Sequence, residues 1–380
     1  MLGITLQCRS SVTVAFSLLS LLFLNAITVA QSPKVHAIII GDVSPAAQWG
    51  ALARHIFADT IGVYGILVNG LPESQFRYYP LTLEEDRWAT PQNILSYLAE
   101  VNVDPGDTLL FYYSGHGAAD DRGHYFQLAG GKLYRDEVRQ AMAKKTARLN
   151  VLLSDCCNLR ADGFAYFAPR IVESPPLRPK PIFDSLLLQP AGWVDLNASS
   201  PGEGAFFSKD DPELEGMPGS LFTTAVLNLW ERQANSVLDW QQVVDQVRVE
   251  VYLAFRETYP KGAAFEHGLE PQTQQNVYAY SYPSMPRRSG PRTGLIVRNH
   301  DRPGAMIVRV DQGSPAYRAF DVAKQAFVPL QPGQNIVMTN DTEIRSVDDL
   351  KTVAADSPQL MRLVIEDSSG ASEFLMSLRY

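Results

Sequence analysis

Asp107-Thr108-Leu109-Leu110-Phe111-Tyr112-Tyr113-Ser114-Gly115-His116-Gly117 and Asn150-Val151-Leu152-Leu153-Ser154-Asp155-Cys156-Cys157-Asn158 decide the fold of this chain. Each starts as a short apolar run and ends in small or polar residues. Short apolar runs bounded by turn residues read as buried strands, predicted here over Asp107 to Tyr113 and Asn150 to Ser154. Val35 to Ile40, ending in Gly41-Asp42, reads as a third, buried in a parallel sheet.

Working outward, helical spacing appears between these strands. Trp49, Leu52, Ile56 and Phe57 recur at that spacing, and Arg77 to Leu81 reads as a short strand. Thr90-Pro91 combines an N-cap with proline at the first helical position and opens a helix through Leu98. Leu133 to Met142, Ser220 to Trp230 and Trp240 to Phe255 are predicted helices; Val194 to Ala198 and Asn276 to Tyr280 are predicted strands. Strands alternating with helices imply an α/β domain with a mostly parallel sheet flanked by helices. Phe164 to Gly192 is rich in proline, has no periodicity, and reads as an exposed excursion.

The expected organisation is a signal peptide over residues 1–30, an α/β domain over 31–280, a linker over 281–292 and a small β-rich domain over 293–380. The linker carries Pro283, Pro286, Gly290 and Pro291 with three arginines. Beyond it come short strands at Gly294 to Arg298, Ala305 to Val310, Asn335 to Thr339, Met361 to Ile365 and Glu373 to Leu378. A helix is predicted over Val347 to Ala355.

Composition excludes some classes. Of 380 residues, 46% are hydrophobic and 19% charged, which is ordinary globular composition rather than disorder. A formal charge of −8 argues against nucleic acid or anionic lipid as partner. In the first 30 residues Arg9 is the sole charge, Val12 to Leu24 is apolar, and Thr28-Val29-Ala30 offers a cleavage site. The mature chain is then expected to start at Gln31, exported to the periplasm or beyond the cell, with no stable membrane span. The rival is an uncleaved anchor, for which the apolar run is short.

Of three cysteines, Cys8 would leave with the signal, and Cys156 and Cys157 are adjacent. Adjacent cysteines bridge poorly, so an exported chain without a disulfide framework uses them otherwise: as a buried apolar pair or for chemistry. A thiol attacks a carbonyl well only as thiolate and needs an imidazole to take its proton. His116 and Cys157, each just past a strand end, supply that pair. Gly117 permits close backbone approach, and its N–H with that of Cys157 would form an oxyanion hole.

Ser114-Gly115-His116-Gly117 and Asp155-Cys156-Cys157 together resemble the caspase-like cysteine peptidases, metacaspases and their bacterial relatives above all. Gly219-Ser220-Leu221-Phe222-Thr223 is similar to the helix start that follows the catalytic cysteine there, and Gln272 and Gln274 lie near a glutamine-rich stretch of that family. The resemblance spans roughly Val35 to Tyr280. It implies a caspase-like α/β fold, His116 as base, Cys157 rather than Cys156 as nucleophile, and Asp155 in the primary substrate pocket. Cleavage after Arg or Lys follows, with processing at Arg170-Ile171 in the proline-rich stretch. A second pocket acid is expected near the first long helix, where Arg54 is the nearest match by position. Asn158-Leu159-Arg160 departs from the family pattern after the nucleophile.

Gly313-Ser314-Pro315-Ala316, Leu330-Gln331-Pro332-Gly333-Gln334, the hairpin at Asn340 to Ile344 and the helix start at Ser346 resemble PDZ domains. That implies a peptide ligand added to a sheet edge and a carboxylate loop at His300 to Ala305. It also implies that Phe320 to Val328 lengthens a helical segment. The alternative to peptide capture is a packing or spacer domain.

No cofactor and no metal are expected. There is no zinc spacing and no His-Glu-x-x-His, no Gly-x-Ser-x-Gly elbow, and no acid in Ala141 to Asn150 for calcium. His36, His55, His124, His267 and His300 read as structural or exposed. The partners are protein or peptide substrates. Two functions follow: an endopeptidase, or an inactive caspase-like scaffold that holds a partner through the β-rich domain.

Overall fold

The computed structural model describes residues 32–42, 51–80, 89–128, 130–159, 180–207, 219–264, 271–281, 293–357 and 359–378. The signal peptide, Arg170-Ile171, the linker from residue 282 and the Arg54 side chain lie outside the described residues.

The first half runs β1 (Val35–Gly41), α1 (Ala51–Gly70), β2 (Phe76–Pro80), α2 (Pro91–Glu100), β3 (Thr108–Ser114), β4 (Gly117–Asp120), β5 (Gly123–Leu128), β6 (Gly131–Tyr134), α3 (Arg135–Ala143), β7 (Leu149–Asp155), β8 (Gly192–Asn197), α4 (Leu221–Arg232), α5 (Trp240–Thr258) and β9 (Tyr278–Ala279). Six strands form one sheet in the order β2-β1-β3-β7-β8-β9, parallel except for β9 against β8.

Side chains alternate between the faces of a sheet, and both faces here are apolar. Ala37, Ile39, Leu110, Tyr112, Val151 and Leu153 pack on one side with Val63 and Leu67 of α1, Phe222 and Trp230 of α4, and Val247 and Val251 of α5. Ile38, Ile40, Leu109, Phe111, Tyr113 and Leu152 pack on the other with Ile94 and Leu98 of α2, and with Val138 and Met142 of α3. Each buried Val, Leu, Ile, Phe or Met among them stabilises the fold by roughly 1.5–3 kcal/mol relative to exposure.

The expected caspase-like α/β architecture is present, with informative differences. Helix α1 runs on to Gly70 through a stretch whose glycines and β-branched residues disfavour helix. Its glycines serve packing: a Cβ on Gly62 would lie 2.5 Å from Leu227 Cδ1 of α4. The segment predicted as one helix from Leu133 is strand β6 followed by α3. An antiparallel sheet β4-β5-β6 thus follows His116 directly. In its described part, the excursion expected over Phe164 to Gly192 exposes Pro181, Asp184, Gln189, Ala191 and Gly192 but buries its large apolar residues. Ile182, Phe183, Leu186 and Leu187 form a short helical turn inside the core, because these four large apolar groups outweigh the flanking prolines.

The β-rich half comprises β10 (Leu295–Asn299), β11 (Ala305–Val310), β12 (Ala319–Asp321), β13 (Ala326–Val328), β14 (Asn335–Thr339), β15 (Thr342–Glu343), α6 (Val347–Ala355), β16 (Leu360–Asp367) and β17 (Gly370–Ser377). Its sheet order is β10-β11-β14-β16-β17-β12-β13, with β15 on β14. Phe320 to Val328 forms the β12–β13 hairpin rather than helix. Asp321 Oδ1 accepts from the Ala323 and Lys324 amides, and Gln325 takes φ 52. Of the stretch His300 to Ala305, residues 300–304 connect β10 to β11 and Ala305 opens β11.

This half shares a core with the first. Val249 and Tyr252 of α5 bury against Phe320, Leu360 and Leu375. The buried Arg248 donates to Val277 O (3.1 Å), Ser377 Oγ (2.8 Å), Leu378 O (3.0 Å) and Gln359 Oε1. Gln359 in turn brackets Ala279, accepting from its N–H (2.7 Å) and donating to its carbonyl (2.8 Å). Lys34 onward is one compact unit.

Candidate active site

Parallel strands β3 and β7 end side by side, with Ser114 opposite Asp155. The loops beyond them carry His116 and Cys157, the region of an α/β sheet where functional groups gather. Gly115 N–H donates to Asp155 O (3.1 Å) and Ala119 N–H to Leu159 O (2.8 Å), which ties the two loops together. A Cβ on Gly117 would stand 2.7 Å from Cys156 Sγ and 2.8 Å from Cys157 O, so only glycine lets the histidine loop lie this close to the cysteine pair.

His116 is buried. Its carbonyl accepts from Tyr113 Oη (2.7 Å) and the Gln127 amide (2.9 Å), and burial holds its imidazole down at about 4. Cys157 Sγ lies against the Ala205 backbone, accepting from its N–H at 3.3 Å, and burial pushes the thiol up to about 11. Gln272 brackets the neighbouring Gly204, accepting from its N–H (2.7 Å) and donating to its carbonyl (3.1 Å). Cys156 points under the sheet, its Sγ 3.2 Å from Asn197 Oδ1, and burial drives its thiol far up. Burial therefore favours the neutral form of both the His116 imidazole and the Cys157 thiol.

Asp155 is buried at the end of β7. Its Oδ2 accepts from the Thr223 amide (3.0 Å), Thr223 Oγ1 (2.7 Å) and the Ser220 hydroxyl, all at the start of α4. Ser220 N–H donates to Asp59 Oδ1 (3.0 Å), and Ser114 Oγ donates to Asp59 Oδ2 (2.9 Å). Asp59, on α1, is an acid that sequence reading did not name, having matched Arg54 to the expected position of a second acid. Its signal was five residues further along the same helix, one turn and a half on, in a segment whose helical continuation the glycines concealed. Burial, with the charge of Asp155, holds Asp59 well above the usual carboxylate range, and burial also raises Asp155.

Sequence reading also passed over His124 and Glu203. His124 Nε2 lies 3.1 Å from Cys157 O. Glu203, next to Gly204, accepts from Asn276 N (2.8 Å) and Nδ2 (2.6 Å) and from Ser200 N (3.3 Å). Of the other histidines, His36 is structural, bonded to Asp107 Oδ2 (2.8 Å) and Tyr79 Oη (2.9 Å).

A helix-flanked, mostly parallel sheet whose adjacent strand ends bring a histidine loop onto a cysteine loop defines an α/β protein of caspase-like fold. The family model for the caspase domain matches residues 73–283. The chain belongs to that family, whose members are cysteine-type peptidases. Among solved structures it is similar to caspase-1 from Spodoptera frugiperda, with 15% identity and a TM-score of 0.43, over 66% of this chain and 86% of that one. No curated protein matches. No helix among the described residues is long and apolar enough to cross a membrane.

Proposed function

We propose that the protein is a cysteine endopeptidase in which His116 is the base and Cys157 the nucleophile, acting on peptide bonds after basic residues. The observation that carries the dyad is the Gly117 contact, which sets the histidine loop on the cysteine loop without room for a side chain. The neutral imidazole takes the Cys157 proton as sulfur attacks the scissile carbonyl, then gives it to the leaving amine. Water deacylates the enzyme, with His116 again as base. The Gly117 and Cys157 amides are assigned to the developing oxyanion.

The basic preference rests on Asp155 with Asp59. Among the described residues no Lys or Arg pairs with either carboxylate, and burial raises both. A substrate guanidinium or ammonium would offset that cost through charge-assisted hydrogen bonds, each worth about 1.5–3 kcal/mol. An acidic side chain would be repelled. Export under the residue 1–30 signal, and a PDZ-like peptide-capturing role for the β-rich half at its edge strand β10, complete the proposal.

The test is a panel of fluorogenic peptides that differ only in the residue before the scissile bond. Wild-type enzyme should cut the Arg and Lys members, and Cys157→Ala and His116→Ala should abolish cleavage without loss of fold. Hydrolysis unchanged in Cys157→Ala would overturn the dyad. A wild-type chain that cuts no peptide would favour the scaffold reading.

A further inference from the structure

The β4-β5-β6 sheet follows His116 in sequence, and its middle strand touches both loops of the site. From β5, Gln127 N–H donates to the His116 carbonyl (2.9 Å), and His124 Nε2 lies 3.1 Å from the Cys157 carbonyl. The same strand thus holds the backbone of both members of the proposed dyad.

The protonation of His124 follows from its other neighbour. Arg135 Nη1 lies 3.3 Å from His124 Nδ1, and a guanidinium can only donate. Nδ1 is therefore the acceptor, Nε2 carries the proton, and that proton is aimed at Cys157 O. Arg135 is itself held without slack. Its Nε donates to Asp195 Oδ1 (2.9 Å), and Nη2 to Asp195 Oδ1 (2.5 Å) and Leu196 O (2.9 Å). Nη1 also donates to Ser154 Oγ (2.7 Å). All five N–H groups of the fork are used. Burial and the Arg135 charge keep His124 neutral. The groups facing the ring also include Cys156 Sγ at 3.6 Å from Nε2, and the rings of Phe126 and Tyr280 at 5.6 and 6.2 Å.

We propose that His124 is a positioning residue: through Asp195, Arg135 and its own Nε2–H it fixes the Cys157 carbonyl, and so sets the nucleophile loop against His116. The proposal rests on the dyad reading above. A buried, fully satisfied polar chain rigidifies what it touches, and reacting groups misplaced by about 1 Å can lose about 100-fold in rate. Gly117 completes the arrangement, since the Cys157 carbonyl that His124 holds is the one a Gly117 Cβ would strike.

Two measurements test it. Imidazole 15N shifts should show His124 in the Nε2–H form, with no titration between pH 5 and 8. An Nδ1–H form, or titration near the free histidine value of about 6.5, overturns the proposal whatever the enzyme's activity. Kinetics on the best peptide of the panel should show kcat of His124→Leu down roughly 30- to 100-fold with KM within about twofold. His124→Gln, whose amide can donate to Cys157 O and accept from Arg135, should restore most of kcat, whereas the shorter His124→Asn should not. Equal kcat in the Gln and Asn variants overturns the proposal even where the Leu variant does not fold. Cys157→Ala and His116→Ala separate the two levels. If they abolish cleavage while His124→Leu keeps wild-type kcat, the positioning role fails alone; if they leave cleavage intact, the dyad reading fails.

Discussion

Asp59 of α1 and Asp155 of β7 are joined through one residue, Ser220, whose amide donates to the first and whose hydroxyl donates to the second. Two buried carboxylates so placed repel one another unless a proton or a cation intervenes. A cationic substrate side chain would be that cation. Asp155→Asn and Asp59→Asn should each lower kcat/KM for the Arg peptide by about 10- to 100-fold while changing that for an uncharged peptide little. Fluorogenic rates on the two peptides check this, and an Asp155→Asn enzyme that kept its preference for Arg would remove the pocket assignment.

The acid limb of the pH–rate profile should reflect the depressed His116. The imidazole can accept a proton only when neutral, which it is above about 4 rather than above the usual 6.5. Thiol loss would intervene only near 11. The profile of kcat/KM for the uncharged peptide, which does not call on Asp155 and Asp59, should therefore stay flat through pH 6 and fall well below it. A half-maximal point at 6.5 would mean that His116 is solvated in the working enzyme.

Glu203 should make stability fall as pH rises. Burial lifts its carboxyl from 4.5 to about 7, so between those values the folded state binds more protons than the unfolded one. Its contribution is complete below 4.5 and lost as pH rises through about 7, a change of about 3 kcal/mol. The difference between wild type and Glu203→Gln in urea unfolding, compared at pH 5 and pH 8, isolates that slope. Equal differences at both values would refute it.

Arg248 should hold the two halves together. Its planar fork serves Val277, Gln359, Ser377 and Leu378 at once, a geometry that an ammonium cannot copy. Arg248→Met should leave buried acceptors unpaired and cost about 3 kcal/mol. Arg248→Lys should rescue little, and urea unfolding should separate into two steps. A single unshifted transition would count against the interface.

Much of this was legible in the chain itself. The three central strands, the Thr90 and Ser220 caps and the order of elements follow from local patterns, because apolar runs and capping residues act over a few positions. His116 and Cys157 were legible for the same reason: each sits at the end of a strand visible in sequence. Tertiary structure decided what depends on partners distant along the chain. The second half of α1 is helical against its own propensities because α4 lies close enough to need glycine at 62. Ile182, Phe183, Leu186 and Leu187 are buried because a core exists to receive them. Asp59 meets Asp155, and His124 meets Cys157, across separations of 96 and 33 residues, and no local pattern encodes those meetings. A side chain's type is written in the sequence; its hydrogen-bond partner, and with it its protonation and its role, is set only when the sheet closes.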